Sequence, residues 1–153
     1  MEPTTHAQCV RLLAEEPVAH MGVISEQDPY VTAISFVHYE DAIYFRTGPG
    51  RRLTAIQDGS RVCIEVSRYS NDEGDWESVL AWGSGRVVED PGLEADVIGL
   101  LLVKYREVFG SALAFSRPSP LAPEEVVVEV PIDEMTGRAS GSGFSPTTKP
   151  GRL

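Results

Sequence analysis

Ten consecutive residues, Ile43 to Arg52 (IYFRTGPGRR), carry the densest group of anion-binding side chains in this 153-residue chain. They set the Thr47 hydroxyl, two glycines and three arginines (Arg46, Arg51 and Arg52) between a β-rich run and the start of a short helix. Backbone N–H groups at a helix start point at an anion, and the helix dipole favours negative charge there. Arginine adds forked donors that match phosphate geometry. A surface turn whose arginines face water uses the same residue types, so the segment alone leaves both readings open.

The other reactive side chains are scattered. His6, His20 and His38 do not cluster, and a metal site needs several convergent ligands, so no metal is expected. His20 lies in an apolar run and reads as a core or interface histidine. Asp72, Glu73 and Asp75 read as a solvated acidic loop. Gly83-Ser84-Gly85 neither extends to GxGxxG nor follows a βαβ pattern, which rejects a Rossmann site. Cys9 and Cys63 are too few for a disulfide framework and read as core or half-buried thiols. No side chain stands out as a catalytic acid or base.

The elements that must position Ile43–Arg52 follow from local signals. Thr5 and Gln8 form a capping box, Cys9, Leu12 and Leu13 follow at helical spacing, and Pro17 stops the helix. Val18 to Ser25, Tyr30 to His38 and Ala42 to Thr47 are β-rich runs joined by short turns, which implies an antiparallel meander. Tyr30 to His38 shows little alternation, which predicts a strand buried on both faces. Gly48-Pro49-Gly50 breaks the pattern, and a short helix runs from Arg51 to Asp58 with Gly59 as its stop. Arg61 to Ser67 alternates cleanly. Tyr69 to Asp75 is polar and reads as a mobile loop. Trp76 to Glu89 predicts one long strand, whose Gly83 and Gly85 leave one face bare for a bend, another backbone or a ligand. Asp90-Pro91 starts a helix through Leu93, Val97, Leu101 and Val108. Ser111 to Pro123 reads as a loop and Glu125 to Asp133 as the last strand. From Gly137 onward the residues are mostly Gly, Ser, Thr and Pro and read as a poorly ordered tail, with one domain over 1–140 and the tail proper at 141–153.

Six strands in this order predict a mainly β fold of the α+β kind, a closed or nearly closed antiparallel barrel with flanking helices. Periodicity does not separate it from other α+β folds. The formal net charge of −10 argues against nucleic acid and anionic membranes as partners, because phosphate would be repelled by the average surface. A small anion needs only a local basic cluster. The first residues lack a leader pattern and no run of about 18 apolar residues occurs, so a cytoplasmic protein without a membrane span is expected.

LLAEEPVAHMGVIS, PYVTAISFVHYEDAIYFRTGPGRRLTAIQDGSRVCIEV and WESVLAWGSGRVVE, in this order, resemble the pyridoxamine 5'-phosphate oxidase-like FMN-binding split-barrel proteins. The closer resemblance is to the flavin-nucleotide-binding branch that includes nitroimidazole-resistance proteins. Val126 to Ser140, VVVEVPIDEMTGRAS, is similar to the strand and Thr-Gly-basic turn of that branch. The resemblance implies a six-stranded antiparallel split β-barrel working as a homodimer, with FMN in a groove between subunits. It implies that the backbone of Thr32, Ala33 and Ile34 touches the flavin ring. Arg51 and Arg52 match the family's basic pair on the phosphate, and Arg46 and Thr47 match the strand end facing phosphate and ribityl. Trp76 and Ser78 match the long strand that reaches across from the partner.

Two departures narrow the function. Arg46 stands where many nitroimidazole-resistance proteins have His after a Tyr-Phe pair, which weakens the expectation of nitro reduction. The chain ends Pro150-Gly151-Arg152-Leu153, without the Trp and Arg-Leu-x-Pro segment of the oxidases proper, so oxidation of a B6 vitamer is not expected. The implied function is an FMN-dependent oxidoreductase acting on a small molecule, with a separate electron donor. A flavin-binding or storage protein without turnover is the alternative, as is a same-fold protein binding F420 or haem. The acidic tail of F420 would want a broader basic groove than 13 Lys and Arg provide, and haem would want an axial ligand such as His20 or His38.

Overall fold

The computed structural model describes residues 1–70, 74–109 and 124–141. A short β1 (Glu2–Pro3) leads to α1 (His6–Glu15), which the expected capping box opens. The Gln8 N–H donates to Thr5 Oγ1 at 3.3 Å, and the Thr5 N–H donates to Gln8 Oε1 at 2.7 Å. Cys9, Leu12 and Leu13 are the buried face of α1. β2 (Ala19–Ser25) and β3 (Asp28–Ile34) make a hairpin with a two-residue turn. Glu26 and Gln27 in that turn have φ of 53° and 71°, the twist that two-residue hairpins favour. β4 (Phe36–Tyr39) and β5 (Ala42–Thr47) make a second hairpin, followed by α2 (Arg51–Gln57). Then come β6 (Arg61–Tyr69), β7 (Trp76–Ser84), β8 (Arg86–Val87), α3 (Pro91–Phe109), β9 (Val126–Pro131) and β10 (Glu134–Ser140).

Every strand pair is antiparallel. The strands form a six-stranded sheet in the order β1-β10-β7-β6-β2-β3 and a four-stranded sheet in the order β4-β5-β9-β8. The main core lies between the two sheets and takes in the buried faces of α1 and α2, with Phe36, Phe45, Met21 and Ile64 among its members. A second cluster packs Val97 and Leu101 of α3 on Val37, Tyr44 and Val127 of the smaller sheet. This is the expected mainly β split barrel with flanking helices.

The structure corrects three details. Tyr30 to His38 is not one strand: it breaks at Ser35, where the chain passes from the larger sheet to the smaller. β3 is an edge strand, which suits Pro29, and one chain leaves Val31 63% exposed. The strand buried on both faces is β5, with Ala42 to Phe45 all buried between the core and the α3 cluster. Trp76 to Glu89 likewise breaks at Gly85 and is shared between sheets. A Cβ on Gly83 would collide with the Pro131 carbonyl oxygen, so what approaches this bare face is the chain's own backbone. The third detail is the tail. Gly137 to Ser140 belong to β10, between β1 and β7. A Cβ on Gly137 would run into Thr4 Oγ1 and Cys9 Sγ, so the small residue serves close packing rather than mobility.

The Ser111–Pro123 loop, Asp72, Glu73 and residues 142–153 lie outside the described residues. Among the described residues, no helix is long and apolar enough to cross a membrane.

Candidate functional site

Gly50 turns the chain from β5 into α2 with φ 156° and ψ −178°, a combination essentially reserved for glycine. The turn sends Arg51 and Arg52 to neighbouring points on β3. Arg52 Nη1 donates to Thr32 Oγ1 at 3.0 Å and to the Ala33 carbonyl oxygen at 3.4 Å. Its Nε and Nη2 donate to Thr47 Oγ1 at 3.4 and 3.1 Å. The buried Thr47 hydroxyl in turn donates to the Gly48 carbonyl at 3.1 Å. Arg51 lies over the Tyr30 ring, 4.6 Å from its centroid, and its Nε donates to Ser25 Oγ at 3.2 Å.

The charges are arranged unevenly. Arg46, Arg61, Arg68 and Arg86 each face a carboxylate, of Glu125, Asp133, Glu77 and Glu129 respectively. Arg51 has the exposed Glu26 carboxylate at 3.9 Å. Arg52 makes no ion pair with any described residue; its partners are two hydroxyls and a carbonyl. Arg52 is thus a half-buried guanidinium held by neutral oxygens in a chain of charge −10, with its charge opposed by no described carboxylate.

The structure brings together Thr32, Ala33, Thr47 and Arg52, with Arg51 beside them. Ile34 ends β3 with its side chain in the core. Arg46 does not join the cluster. It is next to Thr47 on β5, so the pleat turns it to the opposite face, where Nη2 reaches Glu125 Oε2 at 2.6 Å. Trp76 and Ser78 lie on β7, which β6 and β2 separate from β3, so one chain does not place them at the cluster. His20 is not a core residue. It stands on the outer face of the larger sheet, Nδ1 3.3 Å from Glu65 Oε2. His38 is half-buried, and burial holds its pKa below the usual value. Among the described residues, no group of three or more His, Cys, Asp or Glu side chains is placed to hold a metal ion.

Sequence reasoning missed three contributors. Tyr30 and Ser25 orient Arg51; Tyr30 shares a β3 face with Thr32, a signal legible as period two. Tyr105 on α3 fixes the break between β3 and β4, its hydroxyl donating to the Pro17 carbonyl at 2.7 Å and accepting from the Phe36 N–H at 2.7 Å. That hydroxyl has no local signature in the sequence, because its partners lie on distant elements.

A family model described as pyridoxamine 5'-phosphate oxidase matches residues 5–139. An uncharacterised protein of Rhizobium meliloti (strain 1021) is 21% identical over 150 residues, covering 89% of this chain and 93% of its own length. Among solved structures, a candidate 5-nitroimidazole antibiotic resistance protein from Bacteroides thetaiotaomicron has a TM-score of 0.72 at 19% identity, covering 90% of this chain and 86% of its own. An FAD and heme binding protein from Mycobacterium smegmatis has a TM-score of 0.71 at 18% identity, covering 90% of this chain and 72% of its own. The two structures show the split-barrel fold, and with the family model matching nearly the whole described chain, this protein belongs to the pyridoxamine 5'-phosphate oxidase family.

Proposed function

We propose that this protein binds a flavin nucleotide, with FMN as the minimal ligand, and serves as a flavin-dependent oxidoreductase acting on a small molecule. The observation that carries the reading is Arg52, whose guanidinium meets Thr47, Thr32 and the Ala33 carbonyl and no described carboxylate. Arg52 and Thr47 would hold the phosphate, and the open edge of β3 from Thr32 to Ile34 would face the ring. A bound flavin would supply the electron-transfer chemistry; the chain binds it, orients it and limits access to it. The solved neighbour named for FAD and heme binding supports a flavin-type ligand.

The site is proposed to be completed by a second copy. The outer face of the larger sheet exposes Ile24 and Val31 at 53 and 63%, and Val18, just before β2, at 44%, apolar residues near the β3 edge that no described strand pairs. Trp76 and Ser78 lie on the larger sheet away from the cluster and would reach the flavin from the partner. Sedimentation as a 16.7 kDa species at micromolar concentration would refute the dimer.

The test of the ligand compares FMN with riboflavin, which lacks the phosphate. Losing a charge-assisted hydrogen bond costs about 1.5–3 kcal/mol. Arg52→Ala is therefore expected to weaken FMN roughly ten- to a hundredfold and to leave the weak binding of riboflavin unchanged. Unaltered FMN affinity in folded Arg52→Ala protein would reject the phosphate assignment.

A further inference from the structure

No acid or base stands out in the sequence, but the fold assembles a pair beside the strand that the flavin ring would face. His20 on β2 and Glu65 on β6 are register partners, and His20 Nδ1 stands 3.3 Å from Glu65 Oε2. On its other side His20 is the register partner of Ala33 on β3. Directly opposed residues share a face of the sheet, with Cβ atoms about 4.5–5.5 Å apart. The imidazole therefore stands between a carboxylate and the middle of the Thr32–Ile34 stretch. The next residues on this face are apolar: Gly22 on β2 and its register partner Val31 on β3. The histidine side chain is 56% exposed, and its ring makes no hydrogen bond to a described residue other than Glu65.

We infer that His20 is the proton donor of the proposed oxidoreductase, that Glu65 is its positioning residue, and that the substrate is a quinone-like acceptor, which must take up protons with its electrons. The inference rests on the flavin reading above. An ionised carboxylate only accepts hydrogen bonds, so Nδ1 is the nitrogen that donates to Glu65. Nε2 is then the nitrogen that gains and releases a proton, and histidine is the side chain that does so near neutral pH.

Reduction of a quinone takes two electrons and two protons. Both electrons and one proton would come as hydride from a reduced flavin, which is left oxidised. The second proton would pass from Nε2 to a substrate oxygen: the N–H bond breaks, an O–H bond forms, and imidazolium becomes imidazole. A solvent proton then restores the imidazolium, as the exposure of the ring allows. Glu65 would hold the ring in its tautomer and favour the charged form that donates. An exposed pair of this kind adds little to stability, so removing it should leave the fold intact.

The experiment uses the full chain loaded with FMN and reduced by dithionite without oxygen. Its reoxidation by benzoquinone and by ferricyanide, which takes electrons and no proton, is followed by stopped-flow absorbance. His20→Gln is expected to slow the benzoquinone reaction about a hundredfold or more, the scale of general acid catalysis, and to leave the ferricyanide reaction unchanged. Glu65→Ala should slow the benzoquinone reaction less than His20→Gln does. A second readout is independent of turnover. In protein labelled with ¹⁵N at histidine, adding FMN should shift the His20 ring signals, assigned by their loss in His20→Gln. The same spectra should show the His20 tautomer altered in Glu65→Ala. Equal slowing of both acceptors, no slowing, or His20 signals untouched by bound FMN would overturn the proton donor while leaving the flavin reading in place. An unaltered tautomer in Glu65→Ala would overturn the role of Glu65. Wild-type protein that binds no FMN would overturn both readings.

Discussion

Lys104 Nζ sits 3.0 Å from the Leu13 carbonyl oxygen, so a buried ammonium on α3 closes the C-terminal end of α1. It also lies 3.7 Å from the centroid of the Phe36 ring. Burial lowers its pKa to about 8, against the opposing pull of the Glu16 carboxylate.

The pH dependence follows from that shift. An unfolded chain keeps an ordinary lysine proton up to about 10.5, so between about 8 and 10.5 the unfolded state binds more protons than the folded one. Stability contributed at this site rises with pH across that window and is level below it. Tyr44, raised to about 12, and Cys63, also raised, act in the opposite direction at alkaline pH. Subtracting Lys104→Met from wild type removes both. Urea unfolding should show that difference growing by about 1–2 kcal/mol from pH 8 to 9.5; a flat difference would count against a buried charge.

Arg46 and Arg52 look equivalent in sequence but not in the fold. Arg46→Ala should leave flavin affinity within about threefold, since its charge goes to Glu125 rather than to the cluster. It should lower stability by about 1 kcal/mol, the scale of a partly buried ion pair. Parallel FMN titration and urea unfolding separate the two effects.

Glu77 is the buried carboxylate under α1, 2% exposed, held by Arg68 at 2.5 and 3.1 Å. Glu77→Gln should destabilise by about 2–3 kcal/mol because it leaves Arg68 without its buried partner. Glu15 bonds the same arginine from an exposed position, and Glu15→Gln should cost less than about 1 kcal/mol. Equal effects in chemical denaturation would mean that burial does not set the strength of this cluster.

Two glycine substitutions should move stability in opposite directions. Gly83→Ala drives a methyl into the Pro131 carbonyl and should cost about 1–3 kcal/mol or more. Gly99 lies on the exposed side of α3, and a methyl there would have no neighbouring atom within 4 Å, so Gly99→Ala should add about 0.5–1 kcal/mol. Thermal melts of the pair read both signs.

What the sequence made legible was local. The Thr5–Gln8 box and the Asp90 cap, whose Oδ1 accepts the Gly92 N–H at 2.9 Å, involve partners within three residues and could be read directly. The core face of β6 followed from alternation. The break at Ser35 was not legible, because Tyr105, which bonds Phe36 there, lies far along the chain; at Gly85 the sequence left a bend open, but not that Ile56 would crowd any side chain at that position. The IYFRTGPGRR segment was found by composition. Its division into an Arg46 paired with Glu125 and an Arg52 facing no described carboxylate depended on Glu125, which stands just before β9 and is carried beside β5 by the pairing of those strands. Lys104 did leave a trace, a charge seven residues after Val97 on the buried face of α3.

The two strand breaks also bear on how the chain folds. Because β3 continues into β4 and β7 into β8, neither sheet owns a contiguous stretch of sequence. The smaller sheet is completed only when Val126–Pro131 inserts between Ala42–Thr47 and Arg86–Val87. Such distant pairings carry a large loop-closure entropy, which must be met before their contacts reward it, and this slows folding. During synthesis β5 therefore waits with an open edge until β9 has left the ribosome, and the barrel is expected to fold as one slow cooperative unit rather than sheet by sheet.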